Sequence, residues 1–73
     1  MHEIRDADGA LTGVEFYEAE RCYRVTRASD GTSAEWRVTV DGHPHALGFP
    51  ASPADTAAEI RRRTLQRVDE HGG

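Results

Sequence analysis

The stretch EWRVTVDGHPHALGF, residues 35–49, decides the fold. Its first six residues alternate polar and apolar, the period of a strand with one buried face, and Asp41-Gly42 then interrupts the alternation. Asp-Gly is the strongest short hairpin signal, because a two-residue turn of the favoured twist needs positive φ at both central positions. A turn there predicts that Val40 faces His43, Val38 faces His45 and Trp36 faces Leu47 across two antiparallel strands.

Asp30-Gly31 repeats the signal one strand earlier. A two-residue turn there sets Val25 opposite Trp36, Tyr23 opposite Val38 and Arg24 opposite Arg37. Two more alternating runs, residues 14–19 and 22–27, fold together through a tight turn at Glu20-Arg21, which opposes Phe16 to Val25 and Tyr17 to Arg24. One apolar stripe, Phe16, Val25, Trp36 and Leu47, then crosses four strands. A single-residue slip at any hairpin would break it, so the agreement of the registers argues for a meander. A helix over residues 15–23 is the competing reading; the β-branched and aromatic content and the missing cap weigh against it. Further upstream Asp8-Gly9 marks a turn, and a loop over residues 7–11 brings Ile4 back beside Val14. Residues 1–12 are therefore an extra edge strand or a partly disordered segment.

Towards the C-terminus, Ser52-Pro53-Ala54-Asp55 reads as a helix start. Ser52 can accept from a free first-turn N–H, Pro53 loses nothing at the first helical position, and Asp55 places negative charge at the positive end of the helix dipole. The helix is expected to run to Gly72-Gly73, read as a disordered tail. On a wheel Ala54, Ala57, Ala58, Ile60, Thr64, Leu65 and Val68 share one broad arc, with Asp55, Glu59, Arg62, Arg63, Gln66 and Glu70 opposite. Glu59 is spaced to pair with Arg62 and Arg63. The expectation is an α+β fold: an antiparallel β-meander of four or five strands packed on one C-terminal α-helix, a single domain over residues 1–73.

Composition narrows the function. With 73 residues and 37% hydrophobic content the chain buries only a small core. Chains of this size come out near zero to ~5 kcal/mol in area-minus-entropy terms, so a partner that adds burial is useful. Cys22 is alone, no signal-peptide core is visible and no apolar run approaches ~20 residues, so the cytoplasm is expected and a membrane is not. The net charge of −4 disfavours general attraction to nucleic acid. Every basic side chain is Arg, which is read mainly as a coding bias.

No catalytic machinery is expected. His43 and His45 share a strand face and could reach one ion, but His2, Cys22 and His71 have no spacing that ties them to the pair, so no metal or cofactor is predicted. Cys22 falls on the face opposite His43 and His45, which argues against a Cys-His pair. The candidate binding surface is Tyr17, Arg24 and Arg37 on the outer sheet face, flanked by Thr26, Thr39, Glu15 and Glu35, together with Arg61, Arg62 and Arg63 on the helix. Arg61 lies within the apolar arc and must snorkel or pair. The expected function is a non-enzymatic protein-interaction or regulatory accessory module, of the kind encoded as small free-standing bacterial proteins, with another protein or a second copy of itself as partner. A nucleic-acid-binding module using the outer face or the helix arginines is the alternative.

Overall fold

The structure, a computed structural model, describes residues 1–29 and 31–70; the side chains of Ala46 and Leu47 lie outside the description, as do Asp30 of the expected Asp30-Gly31 turn and the expected tail at Gly72-Gly73. Five strands, β1 (His2–Arg5), β2 (Leu11–Glu18), β3 (Arg21–Ser29), β4 (Ala34–Val40) and β5 (His43–Pro50), precede one helix, α1 (Ala57–Glu70). They form one antiparallel sheet in the order β1-β2-β3-β4-β5. The expected meander with a covering helix is thus the architecture, and residues 2–5 supply the fifth strand.

The alternation dictates the layering. Val14, Phe16, Tyr23, Val25, Trp36, Val38 and Phe49 point to one face and are buried there with Ala57, Ile60 and Val68 of α1. Thr64, also fully buried, returns its hydroxyl proton to the Ile60 carbonyl at 2.8 Å, so its own polar atom is satisfied within the helix. Two arginines drape over the core's margins: the Arg61 guanidinium stands 5.5 Å from the Phe16 ring centre and Arg67 stands 6.0 Å from that of Phe49.

The expected registers hold in parity and fail in detail. Asp41-Gly42 is the turn predicted, with φ of 52° and 84°, and Val40 faces His43. The β2–β3 turn, however, falls on Ala19-Glu20, at φ 51° and 65°, rather than on Glu20-Arg21. Phe16 consequently faces Tyr23, not Val25, and the two rings stack 5.1 Å apart at 11°. A ring pair of this kind contributes about 0.5–1.5 kcal/mol, which offsets only part of the strain of two non-glycine residues at positive φ, about 1–3 kcal/mol each. Between β3 and β4, Ser29 pairs with Ala34, so four residues connect the strands instead of two, and Val25 faces Val38.

Two further departures involve bulges. In β5, Pro44 pairs with Thr39 but Gly48 pairs with Arg37, so residues 45–47 lie across from Val38 alone, and Phe49 takes the place opposite Trp36 that was expected of Leu47. In β1, Arg5 faces Leu11 while Ile4 faces Gly13, which sends Ile4 to the outer face rather than beside Val14. The reason is the connection: Asp6 Oδ1 accepts from the Asp8 and Ala10 N–H groups at 2.9 and 3.0 Å and closes a tight loop that fixes this register.

The helix also starts later than the Ser52 signal implies. Ser52 and Asp55 close a turn of their own, with the Asp55 N–H donating to the Ser52 carbonyl at 3.0 Å and the Ser52 N–H to Asp55 Oδ2 at 2.8 Å. Asp55 is diverted because its carboxylate also accepts from the Trp36 indole N–H at 2.8 Å. Thr56 is the actual cap, accepting from the Glu59 N–H at 3.2 Å, the threonine-to-glutamate spacing of a capping box.

Candidate functional site

Of the two sheet faces, the described part of the chain covers one. The other is built from the alternate residues of the same strands. Along β2 these are Gly13, Glu15 and Tyr17; along β3, Cys22, Arg24 and Thr26; along β4, Glu35, Arg37 and Thr39. Two rows cross the full sheet: Ile4, Gly13, Thr26, Arg37 and Gly48 in one, and His2, Glu15, Arg24, Thr39 and Pro44 in the other.

Tyr17, Arg24 and Arg37 therefore share this face, as expected, but not one row. Tyr17 faces Cys22, Arg24 lies between Glu15 and Thr39, and Arg37 lies between Thr26 and Gly48. The two-residue shift at each hairpin turns the expected line into a diagonal, with neighbours about 7–8 Å apart at Cα rather than directly opposed. Tyr17 is 78% exposed, the most exposed large apolar side chain among the described residues. Cys22, through a hydrogen bond and then its charge, pushes the Tyr17 hydroxyl above its ordinary pKa, and slight desolvation and the Glu15 carboxylate act in the same direction. Beside the pair lies a shallow depression of about 330 Å³ lined by Met1, His2, Glu15, Phe16, Tyr17 and Cys22.

The face is electrically balanced. Arg37 donates to Glu35 at 3.0 Å. Arg24 makes no ion pair among the described residues, but Glu15 is its cross-strand neighbour. The guanidinium groups are thus matched one for one by carboxylates, which does not produce the positive field that a phosphate backbone requires.

The helix arginines are occupied elsewhere. Arg61 reaches Glu18 on β2 at 2.7 Å, which meets the expectation that it must pair. Arg62 and Arg63 both reach Glu59, at 3.2 and 3.0 Å, and Arg63 also approaches Asp55 at 3.5 Å. Together they fasten the helix to the sheet and to itself; they do not join Tyr17, Arg24 and Arg37 in one surface.

The chain matches no protein-family model, no curated protein and no solved structure.

Three features escaped the sequence reading. Gly13 and Gly48 sit inside strands rather than at turns, and a glycine within an alternating run is itself a signal of close approach. At Gly13 an added Cβ would lie 2.7 Å from the Val25 carbonyl oxygen and 3.2 Å from Ile4 Cδ1, so Ile4 can lie flat only over a bare backbone. The third is Asp55, whose side chain is only 5% exposed. Burial pushes its carboxyl up, but the Trp36 indole, the Ser52 N–H and the Arg63 guanidinium together outweigh this and hold it below the ordinary carboxylate value.

His43 and His45 remain apart from this surface, whereas His2 lies on it. His43 is exposed at the start of β5, whereas the Nδ1 of the half-buried His45 is shielded from solvent with no hydrogen-bond partner among the described residues. No group of three metal-ligating side chains occurs among the described residues, and no helix is long and apolar enough to cross a membrane.

Proposed function

We propose that the chain is a non-enzymatic protein-interaction module of accessory or regulatory type, acting in the cytoplasm, and that it docks through the outer face of its sheet. One observation carries this: a complete five-stranded face, with Tyr17 78% exposed at one corner, has no covering element among the described residues. Tyrosine is favoured at protein interfaces because it supplies large rigid area together with a polar tip, and pairs of Arg and Glu supply orientation.

The edges of the sheet are poorer docking sites than its face. β5 carries Pro44 and Pro50 and is kinked by the irregularity at residues 45–47, and β1 is only four residues long, with Glu3 paired to Arg5. Short, charged, proline-bearing or bulged edges are the devices that prevent strand addition. A non-enzymatic role is supported by the engagement of the chemistry-bearing groups: Asp55 is fully used in structural bonds, and Cys22 lies across the sheet from His43.

The test is site-specific photo-crosslinking in the native cell, with the probe at Tyr17, at Arg37 and, as a control, at Gln66 on the helix. Adducts with protein are expected from the two sheet positions and not from Gln66. Equal yields at all three positions, or none, would overturn the assignment. In a parallel titration a random oligonucleotide at low salt is expected not to bind; salt-sensitive binding abolished by Arg24→Ala would replace this reading with the nucleic-acid one.

A further inference from the structure

We infer that the chain also binds a small organic monocarboxylate, in a cleft at the margin of the covered sheet face. The helix starts only at Ala57, which leaves the corner of the sheet formed by β1 and the C-terminal half of β3 open beside the first helical turn. A cleft of about 570 Å³ results, walled by Leu11, Trp36, Ala57 and Ala58, with Arg5 and Arg27 in its polar lining. Small-molecule sites occupy roughly 300–1,000 Å³ and combine apolar walls with a few placed polar groups.

Arg27 is the residue that folding does not explain. The alternation of β3 sets Tyr23, Val25 and Arg27 on the inner face, and Arg27 lies directly across from Trp36. A cation on the margin of an apolar face is expected to find a partner, as Arg61 does in Glu18 and Arg63 in Asp55. Arg27 has no ion pair, hydrogen bond or ring contact among the described residues. The two carboxylates that line the cleft are both committed elsewhere. Glu3 accepts from Arg5, and Asp55 accepts from the Trp36 indole, the Ser52 N–H and Arg63.

The polar groups left over are donors. Ser52 and Thr56 each accept a backbone N–H at the hydroxyl oxygen, from Ala54 at 3.3 Å and from Glu59 at 3.2 Å, and each keeps its hydroxyl proton to give. A free cation with free donors beside it selects a group that only accepts. One unpaired cation matches one negative charge, and the Glu3 and Asp55 carboxylates in the lining oppose a dianion such as a phosphate monoester. The apolar walls favour a ligand with a hydrocarbon body, so the class is an aliphatic or aromatic monocarboxylate.

The experiment is an amide NMR titration of the full chain with benzoate, hexanoate, the neutral isostere benzamide and inorganic phosphate, at fixed ionic strength. Saturable shifts of the Trp36 indole N–H and of the Leu11, Ala57 and Ala58 amides are expected with at least one carboxylate. Benzamide and phosphate should bind at least about tenfold more weakly. Arg27 is exposed, so Arg27→Gln should match the wild type in urea denaturation yet lose about tenfold or more in carboxylate affinity; Arg24→Gln, on the outer face, should leave that affinity unchanged. Absence of these shifts with both carboxylates, equal binding of benzamide or phosphate, or an Arg27→Gln variant that binds as well as the wild type would each overturn the inference. The outer-face docking role is read separately by the photo-adduct at Tyr17, so neither result decides the other.

Discussion

The two faces of the sheet are made from alternate residues of the same strands, yet they obey different rules. On the inner face Val14, Val25, Trp36 and Val38 are at most 2% exposed, the Trp36 indole is bonded to Asp55 and the Thr64 hydroxyl to Ile60. On the outer face glycine, threonine and paired charges leave a low surface broken by Ile4 and Tyr17. Packing determines the first set of residues, whereas folding leaves the second largely free. Stability should therefore concentrate on one face and recognition on the other.

Trp36→Ala is the sharpest way to break the inner face. It removes the largest of the fully buried side chains and strips the buried Asp55 carboxylate of its indole donor. The expected cost is ~3–5 kcal/mol, enough to unfold a domain of this size, read by urea denaturation. A loss below ~1 kcal/mol would mean that Trp36 does not anchor the core.

Gly13→Ala tests the one place where the outer face is as constrained as the inner. The added methyl would meet the Val25 carbonyl oxygen at 2.7 Å, and backbone cannot swing aside as a side chain can. The expected cost is ~1–3 kcal/mol. The same change at Gly48, where the nearest atom is 3.3 Å away, should cost less. Equal effects at the two glycines would contradict the register of β2 on β3.

Asp55→Asn probes the bond that joins the sheet to the start of the helix. Because the carboxyl pKa is lowered by folding, its contribution is fully present above the unfolded value of about 3.9 and is lost as pH falls through the lower folded value. The wild type should therefore lose stability on acidification more steeply than the variant. At neutral pH the variant should be weaker by ~1–2 kcal/mol. Parallel stability-versus-pH curves would show that Asp55 is not held ionised by the fold.

The same contrast explains what could be read from the sequence. A period of two states which residues share a face, and Val25, Trp36 and Val38 are inside as the alternation requires. It is blind to a shift of two residues at a hairpin, which changes a residue's partners and keeps its face. Asp41-Gly42 pinned its own hairpin because its backbone demand and its residue types agree. Ala19-Glu20 meets the same demand with unsuited residues and brings Phe16 and Tyr23 into a stack, a side-chain contact across the hairpin that the turn residues themselves do not signal. The later helix start has a similar origin, since the carboxylate that looked like a first-turn acid is claimed by a tryptophan nineteen residues away. Among the candidate site residues, Tyr17, Arg24 and Arg37 were legible as a face but not as a diagonal; the Glu59 partner of Arg62 and Arg63 followed from helical spacing, whereas the Glu18 partner of Arg61 depended on where the helix lies.

The smallest expected effect on stability is at Tyr17 and Arg24. Tyr17 is mostly exposed, and Arg24 makes no ion pair among the described residues, so Tyr17→Ala and Arg24→Ala should each change folding by no more than ~0.5 kcal/mol. If the outer face is a docking surface, the pair of substitutions together should nevertheless abolish association, measured as solution mass or as loss of the photo-adduct at Arg37. A face that mattered only for folding would give the reverse, a loss of stability with association unchanged. The test thus separates a residue kept for packing from one kept for recognition.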